Sequence, residues 1–323
     1  MGDLTFRRTT PDDRGPVIDL LRVSLGREVD DRYEALFAWK HEENAFGPSP
    51  AWVARDGDRL VGFRTFMRWE FLDGDRVIRA ARAVDTATHP DYQGRGIFKR
   101  LTLHALDELQ AEGVDFVFNT PNDQSRPGYL KMGWQTIGQL PTLVRATPWW
   151  KVGAIAKARV PAQRWSTPSS AGVDVRDVLA EGPALEALLE QQSAAHGIAT
   201  RITVPYLRWR FGTPLLGYRA VVAEGGVDRG TAVFRIRGRG PAREAALVAV
   251  LTRAGDRRTA AALIRTVARV ADADYLLAIG RGPVHAGGLV QMPRAGPLLT
   301  WRALNAPSPP ASWDLSLGDI ELF

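Results

Sequence analysis

Apolar and polar positions along the first half of the chain switch between a period of two and a helical period, which predicts strands and helices in turn. Leu4–Arg8 reads as a short strand. Thr10 or Asp12 caps a helix toward Leu25, with Pro11 in its first turn, and Asp30 or Asp31 opens a second helical stretch to about Asn44. Trp52–Arg55 and Arg59–Trp69 read as strands around the turn Asp56-Gly57-Asp58, and Val77–Thr88 follows the turn Asp73-Gly74-Asp75. A loop, His89 to Gly96, leads into a helix at Ile97–Glu112 with Ile97, Leu101, Ala105 and Leu109 on one face. Gly113 ends that helix. Asp115–Asn119 reads as a buried strand, a short helix closes at Gly133, and Trp134 starts another strand.

Residues 147–172 read as a linker, with Trp149-Trp150, Pro161, Pro168 and Ser/Thr clusters. The pattern then resumes. Val173–Arg176, Arg219–Glu224, Thr231–Arg237 and Asp274–Ile279 are strand-like, and Pro183–Ala195 and Thr259–Ala271 are helical; Ala245–Ala254 is a strand-like or mixed apolar run. This order echoes the first half. Trp52-Val53-Ala54 before a glycine turn matches Val221-Val222-Ala223, and Asp115-Phe116-Val117-Phe118 after a helix matches Asp274-Tyr275-Leu276-Leu277. The division expected is therefore 1–146, a linker at 147–172, and a second unit at 173–323.

Composition narrows the chemistry. There is no cysteine, which removes disulfides, thiolate-bound metal clusters and thiol nucleophiles. The five histidines are scattered and no His-Glu-x-x-His is present, so no metal site is expected. No apolar leader and no membrane-length apolar run is seen, and the expectation is a soluble cytoplasmic protein without a membrane partner. The formal net charge of +6 is uneven, with the positive excess in the second half, yet no basic cluster or nucleic-acid module appears, so nucleic acid is an unlikely partner. A homo-oligomer stays open.

The informative segment is strand, then Gln93-Gly94-Arg95-Gly96-Ile97-Phe98, then helix. Closely spaced glycines let successive amides face one concavity at a helix N-terminus, where the macrodipole favours an anion. Arg95, Lys99 and Arg100 add positive charge. It is neither a Walker loop nor a dinucleotide fingerprint.

The run Ala83 to Ile97, with its His89-Pro90-Asp91-Tyr92 turn and Gln93-Gly94-Arg95-Gly96 loop, resembles the GNAT acetyltransferase superfamily. So does Asn122 followed by Tyr129-Leu130-Lys131-Met132-Gly133-Trp134. The resemblance covers about residues 4–145 and extends weakly into the second half, in the manner of tandem enzymes of the enhanced-intracellular-survival type. It implies an α/β GNAT fold, a mixed central sheet flanked by helices, followed by a diverged GNAT-like domain. It implies acetyl-CoA as co-substrate and a small-molecule amine as acceptor, with no metal. Main-chain groups around Thr86, Ala87 and Thr88 would meet the pantetheine arm. Gln93, Gly94, Arg95, Gly96, Ile97, Phe98 and Lys99 would form the pyrophosphate loop, Asn122 would touch the pantetheine region, and Tyr129 would protonate the leaving thiolate. Direct attack by the amine needs no covalent enzyme intermediate.

Departures matter too. Phe98 stands where many members have Gly or Ala, so its side chain is expected to turn into the core. The usual base positions hold Val117 and Arg82. Asp85 is the nearest carboxylate and the candidate base, although alternation puts it on the face opposite Thr86. His89 and a terminal carboxylate at Phe323 are lesser candidates. In the second half, Thr252 to Thr259 has one glycine and no equivalent loop, so no donor site is expected there. Arg235, Arg237 and Arg239 alternate on one strand face and read either as an anion clamp or as a solvated face. Tyr206 to Phe211, Trp301 and Trp313 read as core or as stacking surface. The function expected is N-acetylation of a small primary amine; a non-catalytic acetyl-CoA sensor and a peptide or protein acetyltransferase are the alternatives.

Overall fold

A computed structural model describes residues 4–25, 30–158, 160–192, 197–280 and 282–320. The strands in chain order are β1 (Leu4–Arg8), β2 (Ala51–Asp56), β3 (Arg59–Asp73), β4 (Arg76–Thr88), β5 (Phe116–Asn119), β6 (Gln135–Gln139), β7 (Thr142–Ala146) and β8 (Val173–Asp174). Then come β9 (Ile198–Thr200), β10 (Arg219–Val222), β11 (Gly230–Arg239), β12 (Ala242–Thr252), β13 (Tyr275–Ile279), β14 (Val290–Gln291), β15 (Leu298–Ala303) and β16 (Trp313–Asp314). The helices are α1 (Arg14–Leu25), α2 (Arg32–Phe37), α3 (Ile97–Ala111), α4 (Arg126–Lys131), α5 (Val152–Lys157), α6 (Val175–Ala180), α7 (Gly182–Glu190), α8 (Val204–Gly212), α9 (Arg257–Val270) and α10 (Leu317–Ile320). Among the described residues no helix is long and apolar enough to cross a membrane.

Two compact units result, and both are discontinuous in sequence. The first is Met1–Phe71, Val77–Gly138 and Leu298–Pro309; the second is Leu72–Arg76, Gln139–Pro297 and Pro310–Phe323. The first sheet runs β1-β2-β3-β4-β5-β15-β6 and the second β14-β7-β13-β12-β11-β10-β8. Each is mixed. β1/β2 and β2/β3 are antiparallel and β4/β5 is parallel. β10/β11 and β11/β12 are antiparallel and β12/β13 is parallel. A parallel pair needs a crossover, supplied by α3 in one unit and α9 in the other.

The strand beyond each parallel pair comes from the other half of the chain. β15 pairs antiparallel with β5, Trp301 opposite Phe118, and β7 pairs antiparallel with β13, Val144 opposite Leu277. A cut at 146 with a new unit at 173 runs through this exchange, since β7 hydrogen-bonds into the second sheet and β15 into the first. The segment read as linker holds a short 3-10 turn at Trp149–Lys151 and α5, and the apolar run near 245 is a full strand, β12.

In the first unit the apolar face of α3 (Ile97, Leu101, Ala105, Leu109) is buried against Trp52, Ala54, Val61 and Phe66 of the sheet. Each such large side chain contributes roughly 1.5–3 kcal/mol of burial, so the start of α3 is pinned at Ile97. Gly62 makes the close approach possible, because a Cβ there would lie 2.5 Å from Ile97 Cγ2. On the other face α1 packs Val17, Leu20 and Leu21 onto Val53, Phe63 and Ala87. Ala81 and Ala83 join the α3-side core and Ala87 the α1-side core. Residues of equal parity in β4 therefore change faces, which means the alternation slips once between 83 and 87.

Candidate active site

The site grows from the place where β4 and β5 part. They are paired only from Ala80↔Phe116 to Arg82↔Phe118, whereas β4 runs on to Thr88. The edge of residues 83–88 is thereby left without a ladder partner on the β5 side. Thr86 fastens its hydroxyl to the Phe63 carbonyl at 3.2 Å, and the Thr88 carbonyl accepts the Ser24 hydroxyl at 3.2 Å.

Beyond β4, His89 caps a 3-10 turn, Pro90–Tyr92, by accepting from the Asp91 amide at 3.3 Å. Its ring also meets Arg59 Nη2 at 2.9 Å, so His89 is a turn-builder. The Tyr92 hydroxyl donates to Asp56 at 2.8 Å and fixes the turn to β2. Gly94 and Gly96 then take φ of +75° and +73°, the left-handed region, and a Cβ on either would face open space. Gln93, Gly94, Arg95, Gly96 and Lys99 are exposed, while Ile97 is buried. The amides of residues 94–99 have no acceptor among the described residues, as expected for the first turn of a helix. Arg95 folds back over the Tyr92 ring at 4.5 Å, and Lys99 is exposed beside the loop. Open amides, a helix dipole and an exposed lysine suit a pyrophosphate.

Asn122 is exposed, and its Oδ1 accepts from both the amide and the hydroxyl of Ser125 at 2.9 Å, which shapes the turn into α4. α4 carries Tyr129 into the core, 4% exposed. Its hydroxyl accepts from Arg64 Nη1 at 2.9 Å. Phe98 does turn inward, edge-on to the Tyr129 ring with centroids 5.5 Å apart.

Asp85 does not stand open as a base would. Its Oδ2 takes Lys40 Nζ at 2.8 Å and His41 Nε2 at 2.9 Å. Both partners lie on a π-helical turn, Ala38–Glu42, that continues α2, and both are buried. Burial pushes the Asp85 carboxyl up, but the Lys40 charge and the His41 hydrogen bond outweigh it and hold it far below the carboxylate range. A carboxylate held so firmly in its ionised form is a poor proton acceptor; the arrangement ties the π turn to β4. Burial lowers the His41 pKa, against the smaller raising effect of Asp85, and its Nδ1 has no hydrogen-bond partner. Phe323 lies outside the described residues. At the other usual base positions, Val117 is in the core and Arg82 is buried over the Phe118 ring.

Residues 5–137 match the sequence model of the acetyltransferase (GNAT) domain. The first unit carries a GNAT domain. No curated protein matches the chain. Among solved structures, a GCN5-related N-acetyltransferase from Anabaena variabilis has TM-score 0.65 at 14% identity, over 94% of this chain and 73% of that one. A GCN5-related N-acetyltransferase from Kribbella flavida has TM-score 0.63 at 18% identity, over 94% and 72%. Eis1 from Mycobacterium abscessus has TM-score 0.56 at 13% identity, over 94% and 74%. These likenesses are of fold, and they extend over both sheets.

The GNAT domain's loop has a counterpart in the second unit, where the same slot is filled. β12 and β13 are again paired over three positions, Glu244↔Tyr275 to Ala246↔Leu277. At the start of α9, however, Asp256 accepts from the Thr259 amide at 3.0 Å and its hydroxyl at 2.7 Å. A carboxylate thus occupies the end that in α3 is open. The chain's own segment Leu315–Gly318 covers the rest: a Cβ on Gly318 would lie 2.7 Å from the Val248 carbonyl, and one on Gly280 2.4 Å from that of Leu315. The alternating arginines are neither a solvated face nor an open clamp, because Arg237 and Arg239 both pair with fully buried Glu244 and Arg235 is itself buried. Tyr206, Trp209, Phe211, Trp301 and Trp313 are core residues.

Proposed function

We propose that the protein is an acetyl-CoA-dependent N-acetyltransferase acting on the primary amine of a small molecule by direct attack in a ternary complex. The observation that carries this reading is the open N-terminus of α3, whose amides 94–99 have no partner among the described residues and follow the stretch of β4 that runs beyond its last pair with β5. In this reading those amides and Lys99 hold the pyrophosphate, the main-chain groups of Thr86 and Thr88 align the pantetheine arm, and the Asn122 side-chain NH2 is left to meet it. Tyr129 gives its proton to the departing sulfur. The acetyl donor supplies an activated thioester; the protein's work is to hold thioester and amine at reacting distance.

The test is release of free thiol from acetyl-CoA across a panel of small amines, with Gly96→Glu as the control that puts a carboxylate into the phosphate cradle. Amine-dependent release by the wild type, lost in Gly96→Glu, supports the reading. Binding of acetyl-CoA without turnover of any amine would favour the second reading, a non-catalytic sensor, which draws on the occupied Asp85 and on the absence of a carboxylate at positions 82 and 117.

A further inference from the structure

Arg64 is a charge in the middle of the buried, mostly apolar run Leu60 to Met67 of β3, and it is wholly buried. Buried guanidinium groups are normally matched by carboxylates, because an unmatched buried charge is strongly disfavoured. Arg64 forms no ion pair among the described residues. It is boxed by aromatic rings, Phe66 at 4.3 Å, Tyr129 at 5.4 Å and Phe98 at 5.6 Å. Its Nε and Nη2 have no hydrogen-bond partner among the described residues, and its Nη1 donates to the Tyr129 hydroxyl oxygen at 2.9 Å. The same Nη1 lies 3.5 Å from the Val84 carbonyl, two residues past the last β4–β5 pair at Arg82. The pair Arg64–Tyr129 therefore sits at the mouth of the splayed strands.

We infer that Arg64 is a positioning residue that makes the Tyr129 hydroxyl an obligate proton donor and then holds the tyrosinate left behind. Guanidinium has donors only, so it occupies a lone pair on the phenol oxygen and can never take its proton. That proton has no acceptor among the described residues, which leaves it for a ligand. In the step itself the amine nitrogen bonds to the acetyl carbon, the carbon–sulfur bond breaks with its electron pair going to sulfur, and the Tyr129 proton moves to that sulfur. The tyrosinate remains against the Arg64 charge until it regains, through solvent, the proton the amine nitrogen has released. The inference rests on the transferase reading above.

A merely structural Arg64, tying α4 to β3, would behave differently in a double-mutant cycle. Arg64→Met should lower kcat about tenfold or more with KM for acetyl-CoA changed by no more than about twofold, and Arg64→Lys should recover part of the loss. Arg64→Met combined with Tyr129→Phe should be no slower than Tyr129→Phe alone, because Arg64 acts only through the phenol. Losses that multiply, or an unchanged kcat in Arg64→Met, overturn the inference. A second readout needs no turnover. With tyrosine 13C-labelled at Cζ, the Tyr129 resonance, assigned by Tyr129→Phe, should move in Arg64→Met relative to the wild type, because the guanidinium hydrogen bond to the phenol oxygen is lost. Arg64→Lys serves the same comparison if the methionine variant does not fold. An unmoved resonance sinks the Arg64 assignment even if amines are acetylated. A moved resonance without acetylation of any amine sinks the transferase reading and leaves the pairing standing.

Discussion

Lys40→Met removes the cation from a buried pair and leaves a charged Asp85 that still bonds His41. The two side chains are only 3% and 14% exposed, so solvent screens them little. At 2.8 Å and an effective dielectric of about 20, the lost attraction is about 6 kcal/mol before desolvation is counted. Breaking a buried pair from one side typically costs about 3–5 kcal/mol. For a cooperative unit of roughly 150–250 residues, each kcal/mol moves Tm by about 2–4 °C, so a fall of about 10 °C is expected by calorimetry. Lys40→Met with Asp85→Asn should be less damaging than the two single losses added together, recovering about 2 kcal/mol, because neither charge is then stranded. A single variant that costs less than about 1 kcal/mol would mean the pair behaves as a surface contact. Additivity to within about 0.5 kcal/mol would mean the two residues do not act as a unit. Either result would refute the reading of this cluster.

Acetyl-CoA at 100 times its dissociation constant should stabilise the wild type by about 2.7 kcal/mol and raise Tm by several degrees, an effect Gly96→Glu should abolish. Tyr129→Phe should keep that shift while lowering kcat about tenfold or more, which steady-state thiol release measures; an unchanged kcat would remove the acid role. His41, with its pKa lowered by burial, is neutral in the folded state where an unfolded histidine would take a proton. Its contribution is present above a pH of about 6.5 and lost as pH falls below it, so Tm should decline between about pH 7 and 5, and less steeply in His41→Gln. Asp85, also depressed, adds a further loss only as pH falls below its ordinary range near 3.8.

The glycine loop before α3 was legible because its physics is local. Two glycines, a turn and a helix start decide where the amides point, and all of that lies within Pro90 to Phe98. The parallel pairs were legible for a similar reason, since helix and strand follow one another. The exchange of β7 and β15 was not. Leu298–Ala303 reads like any short apolar strand, and nothing local says that Trp301 will stand opposite Phe118, far away in sequence. The Lys40–His41–Asp85 cluster was half visible. Asp85 could be named as the nearest carboxylate, but Trp39-Lys40-His41 looks like an ordinary helical stretch until the π turn aims both side chains at β4. Arg64 did leave a signal that sequence reasoning passed over: a single arginine inside Leu60-Val61-Gly62-Phe63-Arg64-Thr65-Phe66-Met67 has no amphipathic reason to be there.

The two units hold one architecture, and the contrast between α3 and α9 isolates what the proposed donor site would need. Each helix joins the two strands of a parallel pair. α3 starts at a left-handed glycine with no side-chain cap, whereas α9 starts at Asp256, whose carboxylate caps the Thr259 amide. An uncapped start forgoes about 1 kcal/mol of helix stability, and a bound anion is what would restore it. Asp256→Ala should accordingly cost the second unit about 1 kcal/mol in urea unfolding. It should create no second acetyl-CoA site in calorimetric titration, because Leu315–Gly318 still fills the strand edge. A binding stoichiometry of two in Asp256→Ala would show that the carboxylate alone closes that slot, and would refute the part assigned to the 315–318 segment.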